Sequence, residues 1–158
     1  MNRAEAWLLH SSCALVSATG VAWALVRYAL EPSDPFAAYN HPSEPWLKSL
    51  HLWSAPLLVF AIGLIFQPHV RARLKSGFRA RRRTGIVLAV SLAPMVFSGY
   101  LLQTTSSPSA RSVFLWLHLA SSAAWLCAYV LHQLQRKATA RNLDELAGRS
   151  GPLDAIET

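Results

Sequence analysis

The sequence predicts an all-α integral membrane protein, a four-helix bundle with N and C termini cytoplasmic. Three observations carry that prediction. Hydrophobic residues make up 53% of the 158 residues and charged ones only 15%, a balance that favours lipid as the surrounding solvent. The charges are bunched, leaving four windows without Asp, Glu, Lys or Arg: Ala6–Val26, Ser49–Val70, Thr84–Ala110 and Ser112–Gln135, of 21, 22, 27 and 24 residues. A spanning helix needs about 20 apolar residues, so four spans fit and little chain remains. The net charge of +7 falls in clumps between the apolar runs. That distribution reads as membrane topology and argues against a nucleic-acid surface.

Span one covers about residues 6–30. Arg3 in front of it and Ala22-Trp23-Ala24 within it also suit a signal peptide. The length of the run and the presence of His10 favour a retained helix. Glu31-Pro-Ser-Asp-Pro ends it, because proline cannot continue a helix and Asp and Ser favour turns. The loop that follows, to about Pro45, holds four prolines, three acids and His41 but no basic residue, and is expected to fold back over the bundle mouth. Span two covers about 46–69, contains His51, and should kink at Pro56. Span three covers about 84–103, contains Pro94, and has no histidine. Thr104-Thr-Ser-Ser-Pro-Ser is a short turn, and span four covers 112–135. Residues 1–136 thus form one transmembrane domain, and 137–158 a cytoplasmic tail with a short surface helix followed by disorder. Cys13 and Cys127 both fall inside spans and read as small apolar residues rather than a disulfide.

Arg71–Arg83 reads RARLKSGFRARRR, with seven basic residues and no acid. Basic loops stay in the cytoplasm, so this loop, Arg136, Lys137 and Arg141 face inward. The loops between spans one and two and between three and four face outward.

Ionisable residues inside spans are costly and point to function. Here they are His10, His51, His118 and His132. The last two lie fourteen residues apart in one charge-free helix, on one face and about 21 Å apart along its axis. With the topology above, His10 and His132 each lie about four residues from the inner end of their spans. His51 and His118 lie about five and six residues from the outer ends. At about 1.5 Å per residue, each pair agrees in depth within a few Å. Two imidazoles facing each other from different helices are what a bis-histidine haem requires, one on each side of the iron.

A haem also needs small residues beside its plane and cations for its propionates. Ser121, Ser122, Ala123 and Ala128 supply the first. Arg3, Lys48, Arg111 and Arg136 stand at the span ends nearest the histidines and are candidate propionate partners. Trp125 lies seven residues from both His118 and His132, which places it between the two sites. A zinc site built from Cys13, His10, Cys127 and His132 is disfavoured, since Cys127 should point about 140° away from His132.

One histidine early in span one, one early in span two, none in span three and His-x13-His in span four resemble the bacterial four-helix di-haem cytochromes b. These include the small quinol-linked cytochromes b and the membrane anchors of formate dehydrogenases and nickel-iron hydrogenases. The resemblance covers Ala6–Gln135. The chain lacks the extra helix and long cytoplasmic extensions of the dehydrogenase anchors. What the resemblance implies is a bacterial inner-membrane subunit with two non-covalent haems b, ligated by His10 with His132 and by His51 with His118. It would carry electrons between quinone and a redox partner, either a periplasmic cytochrome c or a dehydrogenase subunit. Gln67, His69 and His41 are the candidate quinone contacts. A non-redox structural or assembly subunit, with histidines hydrogen-bonding between helices, is the alternative. A proton pathway is disfavoured by the absence of Asp and Glu from all four windows.

Overall fold

The computed structural model of the chain describes residues 2–32, 34, 36–75 and 82–149, and over 136–149 the course of the helix alone. Among the described residues four helices are long and apolar enough to cross a membrane: Arg3–Tyr28, Glu44–Arg71, Arg82–Thr104 and Pro108–Gln135. No strand occurs among the described residues. The chain is a multi-pass, all-α membrane protein. It divides into two units, Met1–Gly77 and Phe78–Thr158, and each is a helical hairpin.

In the first hairpin, α1 (Arg3–Tyr28) packs on α2 (Glu44–Ile65). Helix α1 starts three residues ahead of its charge-free window because Asn2 and Glu5 form a capping box. The Asn2 side chain accepts from the Glu5 N–H at 2.7 Å, and Glu5 accepts from the Asn2 N–H at 2.9 Å, satisfying two donors that a helix start leaves orphaned. At the other end the acidic loop closes over the helix. Asn40 Nδ2 donates to the carbonyls of Arg27 and Leu30, both at 2.9 Å. Glu44, buried, pairs with Arg27 at 3.3 Å and accepts from the Asn40 N–H at 3.1 Å.

Pro45 stands in the first turn of α2, where its missing N–H costs nothing, and the α-helix continues through Pro56 to Ile65. It then widens into a π-helical turn, Phe66–Arg71, before the short α3, Ala72–Lys75. Pro68 lies inside that turn. Proline removes one i→i−4 bond and crowds the preceding turn, and a π-bulge is one way a helix absorbs such a residue. Beyond Glu44 in its first turn, the buried positions of α2, Ser54, Leu58, Ala61 and Ile65, recur at the three-to-four spacing of one helix face.

In the second hairpin, α4 (Arg82–Thr104) packs on α5 (Pro108–Arg149). Residues 105–107 connect them, and the Arg111 guanidinium donates to the Leu102 carbonyl at 2.9 Å, capping the end of α4. Helix α5 is 42 residues long. The expected separate surface helix after span four is instead a continuation of α5 to Arg149, because no glycine or proline interrupts the chain between Pro108 and Gly148. Residues 150–158, expected to be disordered, lie outside the described residues.

Large apolar side chains cover the exposed surface, among them Trp7, Trp46, Trp53, Trp116 and Tyr28. Several of these aromatics lie near helix ends, where amphipathic rings settle at the lipid headgroups.

Candidate functional site, a set of clasped histidines

Each hairpin carries two of the four intramembrane histidines. On the first, His51 of α2 lies against α1. Its Nδ1 stands 3.1 Å from the carbonyl oxygen of Val16 and 3.4 Å from Thr19 Oγ1. A carbonyl can only accept, so the Nδ1 proton is on the histidine and donated to Val16. A neutral imidazole protonated at Nδ1 has its lone pair on Nε2. Gly20 lets the ring come this close: a Cβ there would lie 2.8 Å from His51 Cε1 and 3.0 Å from Nδ1.

On the second hairpin His118 repeats the arrangement. Its Nδ1–H donates to the Met95 carbonyl at 2.9 Å, with Ser98 Oγ at 3.4 Å. A Cβ on Gly99 would stand 3.1 Å from Cε1. Ser98 is fully buried. In both hairpins the accepting carbonyl lies three residues before a Ser or Thr, and a glycine follows directly.

His132 has the same partner types in a different balance. Its Nδ1 lies 2.9 Å from Thr84 Oγ1, and the Thr84 hydroxyl donates onward to Gln135 Oε1 at 3.3 Å. Gly85 follows Thr84, and a Cβ there would be 3.9 Å from Cε1, an ordinary contact. The register that sets Thr84 beside His132 and Ser98 beside His118 puts Ser91 level with Trp125. Trp125 is buried and stacks on Tyr129, with ring centroids 5.4 Å apart and planes 10° from parallel.

His10, half-buried on α1, lies one turn from the buried Cys13. The register that sets Thr19 and Gly20 beside His51 puts Ala61 of α2, also buried, level with it. His41 behaves differently from the intramembrane histidines. It is exposed in the loop between α1 and α2, and its Nδ1 accepts from the Ser43 N–H at 3.1 Å with Ser43 Oγ at 2.8 Å. That is a turn contact, with the opposite tautomer.

Of the candidate propionate partners, Arg3 and Lys48 are exposed, Arg111 caps α4 as described, and the Arg136 side chain lies outside the described residues. Gln67 and His69 fall in the π-helical turn, where Gln67 Oε1 accepts from Arg71 at 3.2 Å. Cys13 is buried and Cys127 exposed. No group of three or more His, Cys, Asp or Glu that could hold a metal ion occurs among the described residues.

Sequence reasoning did not single out Trp23. Its ring lies 6.1 Å from that of His51, centroid to centroid, at an interplanar angle of 51°. Its Nε1–H is buried and finds no acceptor among the described residues. A buried donor left unsatisfied costs about 1–3 kcal/mol, so this one marks a place where an acceptor group belongs. Comparison with family models, with curated proteins and with solved structures finds no match to the chain.

Proposed function

We propose that the chain is a di-haem b-type cytochrome subunit of a bacterial inner membrane, carrying electrons between the quinone pool and a periplasmic cytochrome c or a dehydrogenase partner. The observation that supports it best is the arrangement shared by His51 and His118. Each gives its Nδ1 proton to a backbone carbonyl of the neighbouring helix of its own hairpin, the kind of second contact that orients metal-ligating histidines. The orphaned Trp23 indole beside His51 adds an acceptor requirement that a propionate carboxylate fits.

Haem, when bound, would supply a one-electron couple, and ligation by two histidines would leave no place for oxygen. The residues of the chain do the rest. His10 with His132, and His51 with His118, would hold one haem each, a pairing that rests on their depth along the sequence. Arg3, Lys48, Arg111 and Arg136 would meet propionates near the span ends. The π-helical turn would turn Gln67 and His69 towards quinone, π-bulges being frequent at functional sites. The apolar helix surfaces keep the sites away from bulk water.

The test is a reduced-minus-oxidised absorption spectrum of the purified chain with haem quantified per protein. Two haems b per chain are expected, and none would overturn the reading. A second reading, a non-redox structural or assembly subunit, draws on the same hydrogen bonds, since they also tie helices together within each hairpin. It predicts colourless protein.

A further inference from the structure

We propose that Thr19-Gly20, Thr84-Gly85 and Ser98-Gly99 are one repeated histidine-positioning device, which fixes the ring plane of His51, His132 and His118 and tunes their strength as ligands. The inference rests on the haem reading. Four glycines lie in the spanning helices: Gly20, Gly63, Gly85 and Gly99. The three that follow Ser or Thr all face an imidazole, and Gly63, which follows Ile62, has nothing within 4 Å of a built Cβ. Simple packing glycines would have no reason to sort with a preceding hydroxyl and an opposing histidine. The two residues divide the work: glycine gives the ring room to lie against the helix, and the hydroxyl stands beside Nδ1.

The three copies are graded. At His51 and His118 a backbone carbonyl is the nearer acceptor, at 3.1 and 2.9 Å, and the hydroxyl stands back at 3.4 Å. At His132 the Thr84 hydroxyl itself is the partner of Nδ1, at 2.9 Å, and the proposed device makes it the acceptor. Room is graded too, from 2.8 Å at Gly20 through 3.1 Å at Gly99 to 3.9 Å at Gly85. Donation from Nδ1–H raises the basicity of Nε2, and a more basic ligand favours ferric over ferrous iron, which lowers the midpoint potential. Thr84 is therefore a positioning residue whose side chain, unlike a backbone carbonyl, can be deleted.

The experiment uses the full haem-loaded chain in detergent, with haem content, low-temperature spectra and redox titration as readouts. Thr84→Val keeps the volume and removes the acceptor. It should raise the midpoint potential of one haem and leave the other in place, and Thr84→Ser should restore it. Thr19→Val and Ser98→Ala, where the carbonyl remains, should shift potentials less. Gly20→Ala should lose most of one haem, Gly99→Ala should perturb or partly lose the same haem, and Gly63→Ala should keep both.

Unchanged potentials in Thr84→Val would overturn the proposal, as would a Gly63→Ala chain as damaged as Gly20→Ala. If Gly20→Ala does not accumulate, the nearly isosteric Thr84→Val and Thr84→Ser pair decides. Failure of the haem reading itself shows separately, as an unsubstituted chain without haem.

Discussion

His132 Nδ1 and Thr84 Oγ1 lie 2.9 Å apart, one from each helix of the second hairpin. The same hydroxyl lies 3.3 Å from Gln135 Oε1, so one side chain of α4 links two of α5. At His51 and His118 backbone carbonyls of the neighbouring helix take the Nδ1 proton instead. Those two donations are the basis of the functional reading.

The ligand pairing makes a discrete prediction. Single substitutions His10→Ala and His132→Ala should remove the same haem, and His51→Ala and His118→Ala the other. Spectra of the four variants, compared pairwise, check it. Loss of the same haem by His10→Ala and His51→Ala would refute the pairing.

Trp23→Phe keeps an aromatic ring near His51 and removes the orphaned N–H. A hydrogen bond to a charged acceptor is worth about 1.5–3 kcal/mol, so the variant should hold one haem roughly tenfold or more less tightly. Haem-transfer titration to an apo-acceptor protein measures this. Retention equal to the unsubstituted chain would mean that the indole donates to no haem group.

The loop between α1 and α2 should contribute stability rather than redox function. Asn40→Ala deletes both side-chain bonds that close the end of α1 and should cost about 1–2 kcal/mol. Glu44→Gln weakens the pair with the half-exposed Arg27, and should cost about the same or less, since solvent screens the pair from the arginine side. Thermal melting in detergent checks both, with haem per folded chain unchanged.

Topology is testable with single cysteines in a chain whose Cys13 and Cys127 are replaced by Ser. Cysteine at Ala38, in the acidic loop, should react with an impermeant maleimide added to intact spheroplasts. Cysteine at Lys75, within the seven-fold basic run, should react only after permeabilisation. The reverse pattern would invert the orientation drawn from the basic residues.

Much of the fold was readable before any coordinates, because a charge-free window of spanning length has few other uses. The helix starts were less legible. Arg3, Glu44, Arg82 and Pro108 are all helical, yet charge or proline sets them outside an apolar window. A capping box at Asn2 and first-turn prolines are compatible with helix but do not demand it. Pro68 gave no warning of a π-helical turn, since a proline near a span end reads equally well as the end.

The site divides the same way. The histidines stood out as ionisable residues in lipid, but glycines in spans ordinarily read as packing residues. The available signal was the coincidence of Ser or Thr before three of the four. It acquires meaning only when the antiparallel register sets each dipeptide opposite a histidine. Trp23 carried no such signal, because whether an indole finds an acceptor is a property of the folded surroundings.

The clasps of His51, His118 and His132 each close within a single hairpin. A helical hairpin is a natural instalment in which a multi-pass chain enters the bilayer, so these three rings can be aimed as soon as their own hairpin has formed. Biogenesis, and not only conduction, would then explain why glycine and a hydroxyl stand opposite each of these rings.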